Sequence, residues 1–301
     1  MSREVPRYAI IEAPSSLGLR SRGVEGLPER LLSHGLAERL GARHAARLPV
    51  PSAGDLDRAT GVLNGPEIAR WSPLLADAVG VVLDAGEFPV VLGGDCSILL
   101  GSMLALRRRG RYGLLFVDGN ADFFQPEAEP YGEAASMDLA LVTGHGPQLL
   151  TDIERLRPIV REEDAVAFGW RDWDDQAEAR SQPLPHALKS FDLKEVRRLG
   201  IEAAGKAAVA HLTRGELAGF FIHVDADCLD EAIMPAVDYR YPDGFSWHEL
   251  ETALRIAIGS GAAVGLEVTI YNPELDKDGA AGRGLADTLV AALGAFVSAA
   301  A

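Results

Sequence analysis

The feature that most constrains the fold is a series of short apolar runs separated by segments with helical spacing. The runs are apolar at nearly every position, which is typical of strands buried on both faces of a sheet. Strands that alternate with helices form parallel sheets. The pattern predicts a three-layer α/β/α fold with a mainly parallel sheet. Strands are predicted to begin at Tyr8, Phe88, Gly113, Ala165, Gly219 and Ala262, and helices to span 66–85, 97–109, 191–212, 247–259 and 284–300.

Composition narrows the domain count, the partners and the compartment. No repeat, low-complexity tract or linker divides the sequence, so residues 1–301 are predicted to form one domain. A net charge of −15 repels a phosphate backbone, which argues against nucleic acid as a partner. The sequence begins without a signal-type apolar core and contains no stretch long enough to span a bilayer. With only Cys96 and Cys228 as cysteines, free thiols in the cytoplasm are the simplest expectation.

Acidic residues follow several of the predicted strands, at the edge where open parallel sheets bind their ligands. In "FVDGNADFF", Asp118, Asn120 and Asp122 alternate, and alternate side chains of an extended segment point to one side. Asp225 and Asp227 repeat this spacing in "HVDADCLD". Carboxylates gathered in this way repel one another strongly unless cations neutralise them. The pattern indicates a cation site.

The motifs "GGDCS", "DGNAD", "GWRDWD", "DADCLD" and "GLEV" occur in this order over most of the chain. Together they resemble the ureohydrolase family of arginases, agmatinases and related amidinohydrolases. The resemblance implies a homo-oligomer, a trimer or hexamer, that hydrolyses a guanidino or amidino C–N bond. In such enzymes two manganese ions bridged by aspartates activate a water that attacks the guanidinium carbon.

The resemblance, carried over position by position, implies two overlapping metal sites. The family has histidine at the positions of Cys96 and Asn120. An amide oxygen is a weaker donor than imidazole, and a thiolate favours zinc or ferrous iron over manganese. We therefore expect one or two divalent ions, with the site that contains Asn120 weaker or empty. The ligands of the first site would be Cys96, Asp118, Asp122 and Asp225, and those of the second Asn120, Asp118, Asp225 and Asp227.

The loop "FFQPEAEPYGEAASMD" departs from the polar loop that grips the amino-acid carboxylate in arginases. Ala135 stands where the family has a histidine thought to shuttle protons. Phe124, Tyr131 and Glu133 replace hydrogen-bond donors, so L-arginine is disfavoured as a substrate.

The expected substrate is instead a small cation without a free carboxylate. Glu133, Asp174 and Glu267 are the residues expected to bind it, because the resemblance matches Asp174 to a position that receives an amine and Glu267 to one that holds the guanidinium. Asp122 and Glu267 are the expected catalytic residues.

Each of these residues also has a plainer interpretation. Cys96 is about as well explained as a small buried hydrophobe, and Asn120 as a turn residue. His223 precedes Asp225 by two residues and can point to the same side, yet a histidine in a buried strand is more often a core residue. Asp95 is better placed to support a ligand than to be one.

Two alternative functions of the whole chain also have to be considered. The loss of both metal-site histidines is compatible with a non-catalytic family member that acts as a binding or scaffold protein. "DADCLD" also matches a DxD signature of phosphotransferases or glycosyltransferases, but "GGDCS" is a poor phosphate-binding loop.

Overall fold

The computed structural model describes residues 6–294, and within them the chain is built around one large sheet. The strands are β1 (Tyr8–Glu12), β2 (Arg43–Arg47), β3 (Leu56–Asp57), β4 (Val62–Leu63), β5 (Phe88–Leu92), β6 (Gly113–Val117), β7 (Ala165–Phe168), β8 (Lys189–Phe191), β9 (Phe220–Asp225) and β10 (Ala263–Thr269). The helices are α1 (Leu27–Ser33), α2 (Leu36–Leu40), α3 (Gly65–Asp84), α4 (Leu99–Arg107), α5 (Asp138–Val142), α6 (Gln148–Thr151), α7 (Trp173–Ala179), α8 (Leu193–Leu199), α9 (Ile201–Leu212), α10 (Trp247–Gly259) and α11 (Ala280–Gly294).

The large sheet has the strand order β2-β1-β5-β10-β9-β6-β7-β8, and its neighbouring strands are parallel. Successive strand residues face opposite cores: Val90 of β5 belongs to the core that includes residues of α9, α10 and α11, whereas Val91 belongs to the core that includes residues of α3 and α4. Both faces are therefore covered, and the predicted three-layer α/β/α fold is confirmed. Across residues 6–294, no helix combines the length and the apolar character of a membrane span.

The strongest periodic segments were predicted within a few residues, and the weak ones were missed. The helix expected over 66–85 is α3, but the one expected over 191–212 is divided into α8 and α9 at Gly200, whose φ is 82°. The last predicted helix is found as α11, and positions 295–300 lie outside the described residues. Strands β2 and β8 were missed because they are short, polar edge strands with exposed positions.

Strand order determines which loops meet. Strands β5, β10, β9 and β6 are consecutive neighbours in the centre of the sheet, although they are far apart in sequence. Their carboxyl ends carry "GGDCS", "DGNAD" and "DADCLD" to one edge, as predicted. In register, His223 of β9 lies between Glu267 of β10 and Phe116 of β6.

Candidate metal centre and adjoining cleft

Four buried side chains meet at the carboxyl edge of the central strands. They are Cys96 after β5, Asp118 after β6, and His223 and Asp225 in β9, and one ligand atom from each lies within 4.8 Å of the others. Cys96 Sγ donates to Asp225 Oδ2 over 2.7 Å, and His223 Nε2 lies 3.7 Å from Asp118 Oδ2. None of the four side chains belongs to a residue more than 2% exposed. The sequence predicted three members of this group as ligands and interpreted His223 as a core residue.

A second buried group joins Cys96 to Asp122 and Asp138. Asp122 has a φ of 44°, a left-handed conformation that turns the chain sharply away from "DGNAD". Asp138 begins α5, and its Oδ2 is buried without a hydrogen-bond partner among the described residues. Sequence reasoning missed Asp138, because it begins a helix of only five residues that no periodic signal predicted.

Burial and mutual repulsion act together on these acids. Burial raises the pKa of Asp118 and of Asp225 well above its ordinary value, and the charge of Asp227 raises both further. Burial likewise raises the pKa of Asp122, with a further contribution from Asp118. The Cys96 thiol also has a raised pKa, owing to burial and then to Asp225. The site therefore needs protons or a cation to compensate its charge.

Asn120 and Asp227, the remaining predicted ligands, lie beside the first group. The backbone N–H of Asn120 donates to Asp118 Oδ1 over 2.7 Å, and its own Oδ1 is buried with no hydrogen-bond partner in residues 6–294. Asp227 Oδ1 accepts from the Gly119 N–H over 3.0 Å, and among the described residues Asp227 joins neither group. Asp95 lies behind the centre, where it accepts from the Ser97 N–H and from Ser15 Oγ.

A cleft of about 580 Å³ adjoins the centre, with Asn120 in its wall. Acidic and aromatic side chains dominate its lining, and none of the described residues that line it is lysine or arginine. Its acids are Glu127, Glu129, Asp172, Asp175 and Glu178, and its aromatic residues are Phe124, Tyr131, Tyr239 and Tyr241. Such a lining favours a small cation.

Asp174 and Glu133 were predicted to face the substrate, but neither lines this cleft. Asp174 is exposed on α7, whose neighbouring residue Asp175 faces the cleft instead, because each helical residue rotates the side-chain direction by about 100°. Glu133 is buried, with Oε1 accepting from the Arg20 N–H and Oε2 from Tyr239 Oη. Glu133 therefore joins its loop to the segments that carry Arg20 and Tyr239, and it does not line the cleft.

Glu267 was predicted to hold the substrate cation, and the structure contradicts this because the residue is 0% exposed. Its Oε2 accepts from Ser102 Oγ over 2.5 Å, and its Oε1 lies 2.7 Å from His223 Nδ1. Glu267 therefore supports the centre from the interior of the sheet and has no access to the cleft.

Comparisons with known proteins agree on one family. The sequence profile described as the Arginase family matches residues 6–295. The arginase of Staphylococcus aureus (strain COL) is 28% identical over 281 residues, which cover 89% of this chain and 91% of that protein. The crystal structure of arginase from Bacillus cereus has a TM-score of 0.84 at 25% identity, covering 96% of this chain and 98% of that one. The native arginase structure from Bacillus caldovelox has a TM-score of 0.85 at 26% identity, with coverages of 96% and 99%.

Proposed function

We propose that the chain, which belongs to the arginase family, hydrolyses a C–N bond in a small cationic guanidino or amidino compound other than L-arginine. The observation that carries this proposal is the acidic cleft next to a buried cluster of aspartates. Asn120 connects the two, since it lines the cleft and its backbone N–H binds Asp118. Family membership supports C–N bond hydrolysis, and the lining supports a cation.

The family implies two metal sites, and the buried residues of this chain fit one of them better than the other. Cys96, Asp118 and Asp225 are already gathered, and the orphaned Oδ2 of Asp118 supports a tightly held ion there. Asn120 and Asp227 would hold a second ion more weakly, because an amide oxygen replaces an imidazole. When bound, such ions would supply Lewis acidity that activates water and stabilises developing negative charge.

The cleft residues would bind and orient the substrate. Carboxylates attract the cationic end, and tyrosine and phenylalanine faces support it by cation–π contact. A free carboxylate on the substrate would be repelled by the acidic side chains of the lining, whose other polar groups are neutral. Arg20 lies over the Tyr131 ring, 5.2 Å from its centroid, and Arg171 lies over the Tyr241 ring, 5.7 Å from its centroid, but neither arginine lines the cleft. Ala135, at the position of the family's histidine, offers no group that could carry a proton.

A panel of guanidino and amidino compounds with added divalent metal tests the proposal. We expect kcat/KM for an alkylguanidine without a carboxylate to exceed that for L-arginine by roughly tenfold or more, because like-charge contact costs several kcal/mol. Asp175→Asn combined with Glu178→Gln should raise KM for that cation by about fivefold, the range of exposed ion pairs. Urea or ammonia release measures both effects.

Asp174→Asn is the matched control, since it removes one charge from the same helix without altering the cleft lining. It should leave KM unchanged. Efficient turnover of L-arginine would contradict the substrate assignment. No turnover of any compound with manganese, zinc or iron would favour the non-catalytic scaffold.

Cation binding should also depend on the ionisation of Asp172. Burial raises its pKa to about 6, against hydrogen bonds from Gln176 and from the Ala121 N–H that lower it. The carboxylate is neutral below that pH and anionic above it, so the affinity for a cation rises as pH increases through 6. Calorimetric titration with an alkylammonium ion should show binding up to about tenfold tighter at pH 7 than at pH 5. Asp172→Asn should flatten the profile, and an unchanged profile in that variant would exclude Asp172 as its source.

A further inference from the structure

His223 is a fully buried histidine whose ring is fixed by its neighbours. It is 0% exposed, and its ring stacks on Phe116 with centroids 4.7 Å apart and planes 6° from parallel. Nδ1 lies 2.7 Å from Glu267 Oε1, and Ser102 Oγ donates to the other oxygen of that carboxylate. A carboxylate that holds one ring nitrogen is the usual support of a metal-binding histidine.

The other ring nitrogen, Nε2, has no hydrogen-bond partner in the described part of the chain. It faces Asp118 Oδ2, which also lacks one, across 3.7 Å, too far for a hydrogen bond. When Nδ1 of a neutral ring donates to Glu267, Nε2 is an acceptor, and so is the carboxylate. Two buried acceptors that face each other are costly unless a proton or a cation lies between them, and 3.7 Å is too long for a hydrogen bond through a proton.

The distance between His223 Nε2 and Asp118 Oδ2 suits a tetrahedral ion. Bonds of about 2.0 to 2.3 Å place tetrahedral ligand atoms roughly 3.3 to 3.8 Å apart. The 3.7 Å between His223 and Asp118 falls in this range, and the ligand atoms of Cys96 and Asp225 lie within 4.8 Å of both. The shorter contact between Cys96 and Asp225 is a thiol hydrogen bond, which loss of the thiol proton would release. One sulfur, one nitrogen and two carboxylate oxygens suit zinc better than manganese.

We propose that Cys96, Asp118, His223 and Asp225 form a zinc site in which His223 supplies the nitrogen ligand and Glu267 orients it. The nitrogen then comes from strand β9, at neither of the two positions where the family has histidine. This inference deepens the metal requirement of the proposed function, but its test measures metal binding without turnover.

The experiment is titration of the metal-free chain with Zn²⁺ and with Co²⁺ as a spectroscopic substitute. We expect one tightly bound Zn²⁺ per chain and a thiolate-to-cobalt charge-transfer band in the ultraviolet. Cys96→Ser should abolish the band, whereas Cys228→Ser, at the other buried cysteine, should retain it. His223→Gln should weaken Zn²⁺ binding by roughly a hundredfold, a quarter of the free energy of a four-ligand site. Glu267→Gln should weaken it by about 10- to 100-fold.

X-ray absorption at the zinc edge of the unaltered chain provides a test that does not depend on the folding of variants. One sulfur at about 2.3 Å and one imidazole nitrogen are expected. A shell of oxygens alone, or equal Zn²⁺ affinity after His223→Gln, would overturn the site. If the expected shell with one sulfur and one imidazole nitrogen is found but no compound is hydrolysed, the site stands and the proposed reaction fails. Hydrolysis with an oxygen-only shell would be the reverse result.

Discussion

Asp118→Asn is expected to lower the affinity for the tight ion by a hundredfold or more while making the metal-free chain more stable. The loss of affinity follows because the amide cannot replace an anionic ligand, and one ligand accounts for roughly a quarter of the metal-binding free energy. Asp118 is 1% exposed and lies 3.7 Å from His223 Nε2, so its carboxylate belongs to the interior of the cluster. Isothermal titration with Zn²⁺ measures this change.

The gain in stability follows from the pKa of Asp118, which burial and then Asp227 raise well above the ordinary value. A raised carboxyl pKa contributes stability below the unfolded-state value, and this contribution is lost as pH rises through the folded-state value. The metal-free chain should therefore lose stability as pH rises above about 4, the ordinary carboxyl range. Asparagine removes that loss at position 118, so the melting temperature at neutral pH should rise by a few degrees, corresponding to about 1 kcal/mol.

Asp276→Asn is the matched control at another buried aspartate. Burial opposes ionisation of Asp276, but hydrogen bonds from the Gly282 N–H, Tyr271 Oη and the Ala281 N–H outweigh it and lower the pKa. The anion is therefore the stabilised form, and asparagine should lower the melting temperature. Equal losses of stability in both variants would show that Asp118 is not under electrostatic strain in the metal-free chain.

The fold could be predicted because the central strands are apolar at nearly every position. Runs such as β6 and β9 are buried along their whole length, so sequence and environment agree. The edge strands carry no such signal: β2 reads "RHAAR" and is partly exposed. A parallel edge strand is formed by backbone pairing with its neighbour, and side-chain pattern alone does not reveal that pairing.

The site could be predicted in part, since the position of acids after strands depends on local sequence alone. The partner of each acid depends on strand order. His223 and Glu267 are 44 residues apart, and they meet because β9 and β10 are adjacent in register. The spacing of His223 from Asp225 already indicated a shared side of the strand. The sequence could not show that Glu267 contacts Nδ1 of the His223 ring, which leaves the other nitrogen, Nε2, facing Asp118.

Asn120→His is expected to convert weak or absent binding of a second ion into measurable occupancy, from one to two ions per chain. The Asn120 side chain lines the cleft, and its Oδ1 is buried without a partner within residues 6–294. The backbone N–H of this residue already donates to Asp118, and the like charge of Asp227 repels the Asp118 carboxylate. One divalent ion does not compensate all the carboxylates of this cluster, so enough negative charge remains for a second ion. What the second site lacks is a good ligand atom.

An imidazole at position 120 would supply that donor at the wall of the cleft, where an ion can also reach a substrate. Turnover should then saturate at a concentration of added Mn²⁺ or Zn²⁺ that is roughly ten- to a hundredfold lower. Loss of a group that only supports a metal ligand changes metal affinity by this factor, and a direct ligand should contribute at least as much. Metal analysis after gel filtration gives the stoichiometry, and activity against metal concentration gives the affinity. Asn64→His, at a buried asparagine whose amide binds Leu17 O and the Gly54 N–H, is a control that adds a histidine elsewhere. If Asn120→His leaves the stoichiometry and the metal dependence unchanged, Asn120 is a turn residue that binds no ion, and the second site has to be placed on other residues.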